Sequence, residues 1–160
     1  MIRCRRSRFA VTAAFLCVFM GSTTLQAADN LAGAWKLNLA KSNYSPGPPP
    51  RSILAKFEEV PGGIKETHDR VDADGTKIRF EWVAKYDGKD YPVKGDPSRD
   101  SGSIRRIDAY TVEITNRKGG KVMTVARITI ARDGKSRNSD VTGVDGQGRQ
   151  VHNTLLWEKQ

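Results

Sequence analysis

The side chains of this sequence that are able to do acid–base chemistry are a scatter of carboxylates and two histidines. His68 has Asp69 beside it, but successive strand residues point to opposite faces, so these two cannot pair as a base and its orienting carboxylate. Glu66 and His68 do share a face with Ile64. This pattern favours an exposed strand in an open region, with a polar spot inside the fold as the alternative. His152 is predicted to face solvent, so we predict no catalytic residues and no enzymatic activity.

Metal and phosphate chemistry is not indicated either. Asp69, Asp72 and Asp74 with Gly75 have the spacing that opens an oxygen-rich calcium loop, but the chain then turns directly into an apolar strand. The further ligands and the final glutamate of such a loop are missing, so we interpret Asp74-Gly75 as a hairpin turn. The glycines lie in turns and none precedes a helix, which argues against a phosphate-binding loop. The sequence thus predicts no metal site and no cofactor.

The amino-terminal segment is typical of a cleavable secretory signal. Four arginines precede the uncharged run 9–20, which is shorter than the roughly 20 residues of a membrane helix and suits the apolar region of a signal peptide. With cleavage after Ala27, residues 28–160 form the mature domain. The general secretory route would deliver it to the periplasm or the exterior, with no membrane span. A lipid anchor at Cys17 is disfavoured because Leu16 stands where a small residue is required.

Removal of residues 1–27 changes the composition in two ways. Both cysteines, Cys4 and Cys17, leave with the segment, so the mature domain has no disulfide, thiol nucleophile or cysteine-ligated metal. Four of the 27 Lys and Arg residues lie in the segment and all 18 acidic residues lie outside it, so the formal charge falls from +9 to +5. The remaining charges are interspersed, which argues against nucleic-acid binding. We expect residues 1–27 to lie apart from the domain's core.

Short strands joined by tight turns account for the mature sequence. Asp-Gly or Gly-Gly pairs begin at positions 62, 74, 87, 119, 133 and 145, and they supply the positive φ angles that type I′ hairpin turns demand. Apolar residues alternate between them, most regularly over 77–86, and no helix is predicted. A long meander hides its edges best by closing, so we predict an all-β, antiparallel up-and-down barrel of about 8–10 strands. The predicted strands are 34–39, 52–60, 63–71, 76–86, 89–94, 102–108, 110–117, 121–131, 135–144 and 149–158.

A proline-rich segment, 41–51, interrupts the regular spacing of the strands. Its prolines forbid both a helix and a central strand. The pattern favours a stiff surface connector between the first two strands. The alternative is a lid, or a docking segment for a partner that recognises a polyproline-like conformation.

Both ends of the mature chain resemble the calycin superfamily, which contains the lipocalins and fatty-acid-binding proteins. The opening LAGAWKLNLAKS is similar to its Gly-x-Trp first strand, and the ending LLWEKQ resembles the closing strand of fatty-acid-binding proteins. The strings WKLNLAKS, VDADG, AKYDGKDYPV, RRIDAYTVE, NRKGGKV and DGQGR further resemble small exported bacterial lipocalin-like proteins of unknown function. The resemblance implies a structural role for Gly33 and for Trp35, as the plug of one barrel end. The arginine and tyrosine that clamp a fatty acid are replaced by Leu155 and Trp157.

Two functions remain open at this stage. The first is binding of a small apolar or amphipathic ligand inside the barrel. The second is a non-enzymatic envelope protein whose barrel is filled by its own side chains and whose outer surface meets a partner. An interior cavity of several hundred Å³ would favour the first. Arg127 is a candidate cation for the ligand, although strand alternation favours an outward position for it. The predicted ligand-binding residues are Phe80, Trp82, Tyr86, Tyr91, Val93 and Arg127.

Overall fold

The computed structural model describes residues 29–160. The predicted signal segment, and our expectation that it lies apart from the core, fall outside the described residues. All ten predicted strands are present within 29–160, with ends that differ from the predicted ones by at most two residues. They are β1 (Gly33–Leu37), β2 (Ser52–Val60), β3 (Gly63–Val71), β4 (Lys77–Lys85), β5 (Tyr91–Lys94), β6 (Ser101–Arg106), β7 (Thr111–Lys118), β8 (Lys121–Ile130), β9 (Ser136–Val144) and β10 (Gln150–Lys159).

The strands form one closed antiparallel barrel. Each strand pairs with the strands before and after it in the chain, and β1 pairs with β10 to complete the ring. The predicted up-and-down barrel is therefore confirmed. Closure gives every strand two neighbours, although β5 pairs with β4 and with β6 over only two residue pairs each. Pairing of this kind protects the strand edges that otherwise promote association of sheets.

Alternation of side chains decides which face of each strand is inside. In β4, Phe80, Trp82 and Ala84 are buried while Lys77 and Glu81 are exposed. β2, β8 and the first half of β9 alternate in the same way, whereas β6 buries the consecutive residues 102–104. The buried apolar residues form a single core. Period-2 patterning is what a closed barrel with one apolar face requires.

The Asp-Gly turns differ from the predicted type. Type I′ turns need positive φ at both central residues, but no residue other than glycine has positive φ in the described part of the chain. Each aspartate instead accepts a hydrogen bond from the backbone two residues on, as Asp74 does from Thr76 N at 2.8 Å and Asp133 from Lys135 N at 2.9 Å. Only the Gly119-Gly120 pair has positive φ at both positions. Each aspartate therefore stabilises its turn through a hydrogen bond from its side chain to the backbone. It does not adopt the left-handed conformation that a type I′ turn requires.

Helical structure in the described residues is limited to one 3-10 turn, Leu39–Lys41. Within residues 29–160, no helix has the length and apolar character needed to cross a membrane.

One end of the barrel is closed by the residues that precede β1. Leu31 and Trp35 have no exposed surface, and the Trp35 indole donates a hydrogen bond to the Leu31 carbonyl at 2.8 Å. Asp29 anchors this turn, since its carboxylate accepts from Arg106 at 2.6 Å and from the Tyr86 hydroxyl. We call Asp29 and Leu31, together with Trp35 of β1, the amino-terminal plug. Trp35 thus has the buried place expected of it.

The proline-rich segment crosses the opposite end. Asn43 pairs with Thr154 of β10, and the Ser45 carbonyl accepts a hydrogen bond from His152 N at 2.8 Å. Arg51, at the end of the segment, donates to the Ala73 carbonyl of the β3–β4 turn at 3.0 Å. The segment is therefore fastened to both sides of the barrel mouth.

Candidate functional site

The barrel interior contains a cavity of about 360 Å³. Apolar side chains from β2, β7, β8, β9 and β10 form much of its wall, and the proline-rich segment and the β9–β10 turn border its open end. The apolar lining residues include Ile53, Phe57, Ile114, Ile128, Val141 and Leu155. Near the proline-rich segment a second pocket of about 560 Å³ shares Tyr44, Ile53 and Arg70 with the cavity. The two spaces therefore meet at Tyr44, which places the entrance at this end.

A buried polar cluster lies against the cavity. Glu66 and His68 both project inward from β3, with Glu66 Oε1 and His68 Nδ1 3.3 Å apart. The favoured expectation of an exposed strand is therefore wrong, and the alternative of an interior polar spot is the correct one. The physical reason is that barrel closure covers the face that Glu66 and His68 share with Ile64.

Arg99, in the loop between β5 and β6, holds the carboxylates of this cluster together. Its Nε donates to Asp96 at 3.0 Å, and its Nη2 lies 3.4 Å from Glu66 Oε2. Its Nη1 donates to Asn116. The guanidinium also lies 4.4 Å from the centroid of the Phe80 ring. Its edges therefore contact polar groups while its face packs on an aromatic ring.

Arg137 of β9 is the most buried cation near the cavity, with 3% of its surface exposed. Its guanidinium lies between three aromatic rings, at 5.2 Å from Trp35, 4.9 Å from Phe57 and 4.6 Å from Trp157. No described carboxylate approaches it within salt-bridge distance, and Nε and Nη1 have no hydrogen-bond partner among residues 29–160. Because Trp35 belongs to the closed end, Arg137 is at the deep end of the cavity.

The charges of these groups are set by opposing effects. Burial acts to raise the pKa of the Glu66 carboxyl, but the hydrogen bond with His68 and the charges of Arg99 and Arg137 outweigh burial and hold the pKa below its ordinary value. Burial lowers the pKa of the Arg137 guanidinium, and the charge of Glu66 opposes that effect. A guanidinium starts from a pKa above about 12, so Arg137 remains a cation at neutral pH. At the entrance, burial raises the pKa of Tyr44 to about 12, although Arg70 acts to lower it.

The structure places the predicted ligand-binding residues in four groups. Phe80 lines the cavity. Trp82 and Val93 are buried in the core but are not part of the cavity wall. Tyr86 and Tyr91 bond to Asp29 and Asp87, away from the cavity. Arg127 is exposed on the outer face of β8, as strand alternation favoured.

Sequence reasoning missed the charged residues that lie inside. Arg137 and Arg99 are not among the predicted site residues, and the sequence pattern favours an exposed strand for Glu66. For Arg137 a signal was present: it is in period-2 phase with Ser139 and Val141, which also face inward, while Asn138 and Asp140 between them are exposed. Alternation along a strand could not predict the burial of Arg99, because this residue lies in a loop.

Within residues 29–160, no three His, Cys, Asp or Glu side chains are arranged so that they could hold a metal ion together. His152, as expected, is exposed, and its Nε2 lies 3.4 Å from Asp140 on the outer surface.

Comparison with known proteins gave one structural likeness. Neither a scan against protein-family models nor a search of curated proteins found a match. A crystal structure of zebrafish ileal bile acid-binding protein complexed with cholic acid aligns with 82% of this chain and 99% of its own chain, with a TM-score of 0.49 and 11% sequence identity. Identity at this level does not transfer a ligand from one protein to another. The resemblance to small exported lipocalin-like proteins stays a prediction.

Proposed function

We propose that the barrel binds a small amphipathic molecule whose anionic group lies against Arg137 at the deep end of the cavity. The apolar part of the molecule would lie along the wall formed by the strands β7 to β10. The observation that carries this proposal is the buried Arg137 guanidinium, with hydrogen-bond donors that no described residue satisfies. Binding of this kind requires no chemical step.

The cost of leaving such donors unpaired supports the proposal. A buried donor without an acceptor costs about 1–3 kcal/mol, and more if it is charged. The carboxylates of the cluster do not relieve this cost, because Glu66 and Asp96 both contact Arg99 instead. The three aromatic rings offset part of it, since a cation over an aromatic face is stabilised by about 0.5–2 kcal/mol. A carboxylate or a similar anion would supply the missing acceptors.

The size of the cavity favours binding over a filled barrel. Small-molecule sites are commonly clefts of about 300–1,000 Å³ lined by apolar side chains with a few polar groups that fix orientation. A volume of about 360 Å³ is at the lower end of that range. It suits a molecule with a short chain or a single ring system.

The proposal is tested by calorimetric titration with octanoate and with 1-octanol, which have the same chain length and differ in charge. We expect octanoate to bind more tightly. Charge-assisted hydrogen bonds contribute about 1.5–3 kcal/mol, so Arg137→Met should weaken octanoate about 10- to 100-fold and change the binding of 1-octanol little. Arg127→Met, on the outer face of the same barrel, is the matched control and should leave both affinities unchanged.

Two outcomes would contradict the proposal. Equal binding of octanoate by the wild type and by Arg137→Met would show that the guanidinium is not the anion site. Absence of binding for both ligands in a folded wild type would favour the second function, a filled or closed barrel that acts through its outer surface. Near-ultraviolet circular dichroism, which reports on the packing of all the tryptophans and tyrosines together, checks that Arg137→Met retains the wild-type packing.

A further inference from the structure

The imidazole of His68 is held in one orientation by three neighbours. Nδ1 faces Glu66 Oε1 at 3.3 Å, and the ring stacks on Phe80 with a centroid separation of 4.4 Å and an interplanar angle of 21°. The Trp157 ring is nearly perpendicular to the imidazole, with a centroid separation of 6.2 Å. No described residue bonds to Nε2, and His68 lines the cavity. The free nitrogen is therefore available to a molecule inside the barrel.

The partner of His68 has the properties of an orienting carboxylate. Glu66 is 6% exposed, and Arg99 holds its other oxygen at 3.4 Å. A carboxylate that stays ionised keeps the proton of a neutral imidazole on Nδ1, so that Nε2 carries the lone pair. It also stabilises the imidazolium that forms when Nε2 takes up a proton.

A cation for developing negative charge lies in the same cavity. Arg137 and His68 both pack against Trp157, with the guanidinium 4.6 Å from the ring centroid. Donors that are held in place before the reaction stabilise an oxyanion at little reorganisation cost. A base with its orienting group, together with such donors in one apolar cavity, is the arrangement that proton transfer at carbon requires.

We propose that this cavity catalyses proton transfer within a bound small carbonyl compound, with His68 as the general base and Glu66 as its positioning residue. Nε2 removes a proton from the carbon between a carbonyl group and a β,γ double bond. The electron pair of the broken C–H bond enters a dienolate, whose oxygen faces Arg137. His68 then returns the proton to the γ carbon. The product is the conjugated isomer, His68 is neutral again, and no oxidant or co-reactant is consumed.

This inference rests on the cavity that the proposed function assigns to a ligand, and it goes beyond binding by making the bound molecule a substrate. Other ionisable groups that face this cavity are Tyr44, Arg70, Asp96, Arg99 and Asp145. Among the charged ones, Arg70 is paired with Asp72, Asp96 with Arg99, and Asp145 with Arg149. His68 is the member whose unbonded nitrogen suits it to act as a base.

The test uses cyclohex-3-en-1-one, whose conversion to the conjugated ketone is followed by ultraviolet absorbance. We expect the wild type to exceed an equal concentration of free imidazole, and His68→Gln to lose about 10²- to 10⁴-fold in rate. His152→Gln, which removes the exposed histidine, should keep the full rate. Glu66→Gln should lower kcat with little change in KM, because Glu66 orients the base and is not proposed to contact the substrate.

Octanoate titration of each variant separates this inference from the binding proposal. Retained octanoate binding by His68→Gln, together with loss of isomerisation, supports catalysis by His68. A wild type that binds octanoate but isomerises the ketone no faster than imidazole overturns catalysis and leaves binding in place. Equal rates for His68→Gln and His152→Gln would likewise overturn it. Failure of the wild type to bind octanoate, with isomerisation that depends on His68, would overturn the anion site alone.

Discussion

At the scale of single residues, Glu66 connects the stability of the protein to its site. It is a carboxylate inside an apolar barrel, and ionisation there is opposed by burial. The hydrogen bond with His68 and the nearby guanidinium groups nonetheless make the charged form the favoured one, so that the pKa lies below its ordinary value of 4.5. A carboxyl with a lower pKa in the folded than in the unfolded state stabilises the fold only while it is ionised.

Glu66 should therefore make the folded state less stable at acidic pH than at neutral pH. The contribution of Glu66 is fully present above pH 4.5 and is lost as the pH falls through its lower folded-state pKa. Each unit of lowering corresponds to about 1.4 kcal/mol. We expect the free energy of unfolding, measured by urea denaturation, to decrease below pH 4.5 in the wild type, and to decrease less steeply in Glu66→Gln.

Glu58→Gln serves as the control for this measurement. Its carboxylate is exposed and bonds to Lys56 at 2.8 Å, so salt screens its interaction while the buried Glu66 cluster is screened much less. At high ionic strength, the free energy of unfolding of Glu58→Gln should decrease below pH 4.5 as steeply as that of the wild type. Identical slopes for Glu66→Gln and the wild type would mean that Glu66 does not ionise differently on folding.

At the scale of elements, the strands were predictable from the sequence because a barrel wall imposes period 2 on every strand. β2 and β3 begin and end at the predicted residues. The buried charged residues were less predictable. Alternation shows which residues share one face of a strand, but not which of the two faces points into the barrel. β3 carries Ile64, Glu66 and His68 on one side, and only closure of the ring decides that this side is covered.

One glycine within a strand is predicted to be essential to the wall. Gly143 of β9 has φ +144°, and a Cβ there would lie 2.0 Å from the Met123 carbonyl oxygen of the neighbouring strand. Gly143→Ala must therefore displace backbone in addition to straining φ, and we expect it to cost more than about 2 kcal/mol of unfolding free energy.

Gly134→Ala is the matched control for this substitution. Gly134 also has positive φ, +68°, but a Cβ there would meet no atom within 4 Å. Only the conformational cost of about 1–2 kcal/mol applies to it. Urea midpoints measured on both variants should show the larger loss for Gly143→Ala, and equal losses would mean that β9 shifts freely away from β8.

At the scale of the whole molecule, the sequence predicted a closed barrel and its resemblance implied a plug at Trp35, but not the contacts that hold this end shut. Closure of one end depends on contacts between distant residues, with Asp29 bonded to both Arg106 and Tyr86. Such contacts leave no periodic trace in the sequence. The cavity likewise depends on residues that are distant in the sequence, because its volume is the space that the inward-facing side chains of ten strands leave unfilled. The part of the chain before this plug is where we predicted the export signal.

We propose that the chain is exported and cleaved after Ala27, which would leave a mature protein that starts just before Asp29. Expressed in a bacterial host with a periplasm, it should be recovered from the periplasmic fraction with a mass equal to that of residues 28–160. It should also be free of titratable thiols, since Cys4 and Cys17 are both removed. Ala27→Tyr places a bulky side chain where cleavage needs a small one, so the uncleaved precursor should accumulate.

The barrel itself should not depend on the removed segment. β1 pairs with β10 and the plug begins at Asp29, so every strand contact of the ring lies within residues 29–160. Residues 28–160 expressed without the signal are therefore expected to unfold at the same urea concentration as the uncleaved Ala27→Tyr precursor and to bind octanoate with the same affinity. Full-length protein recovered uncleaved from the cytosol, with reactive thiols, would contradict export. A lower urea midpoint for residues 28–160 would mean that the first 27 residues contribute to the fold.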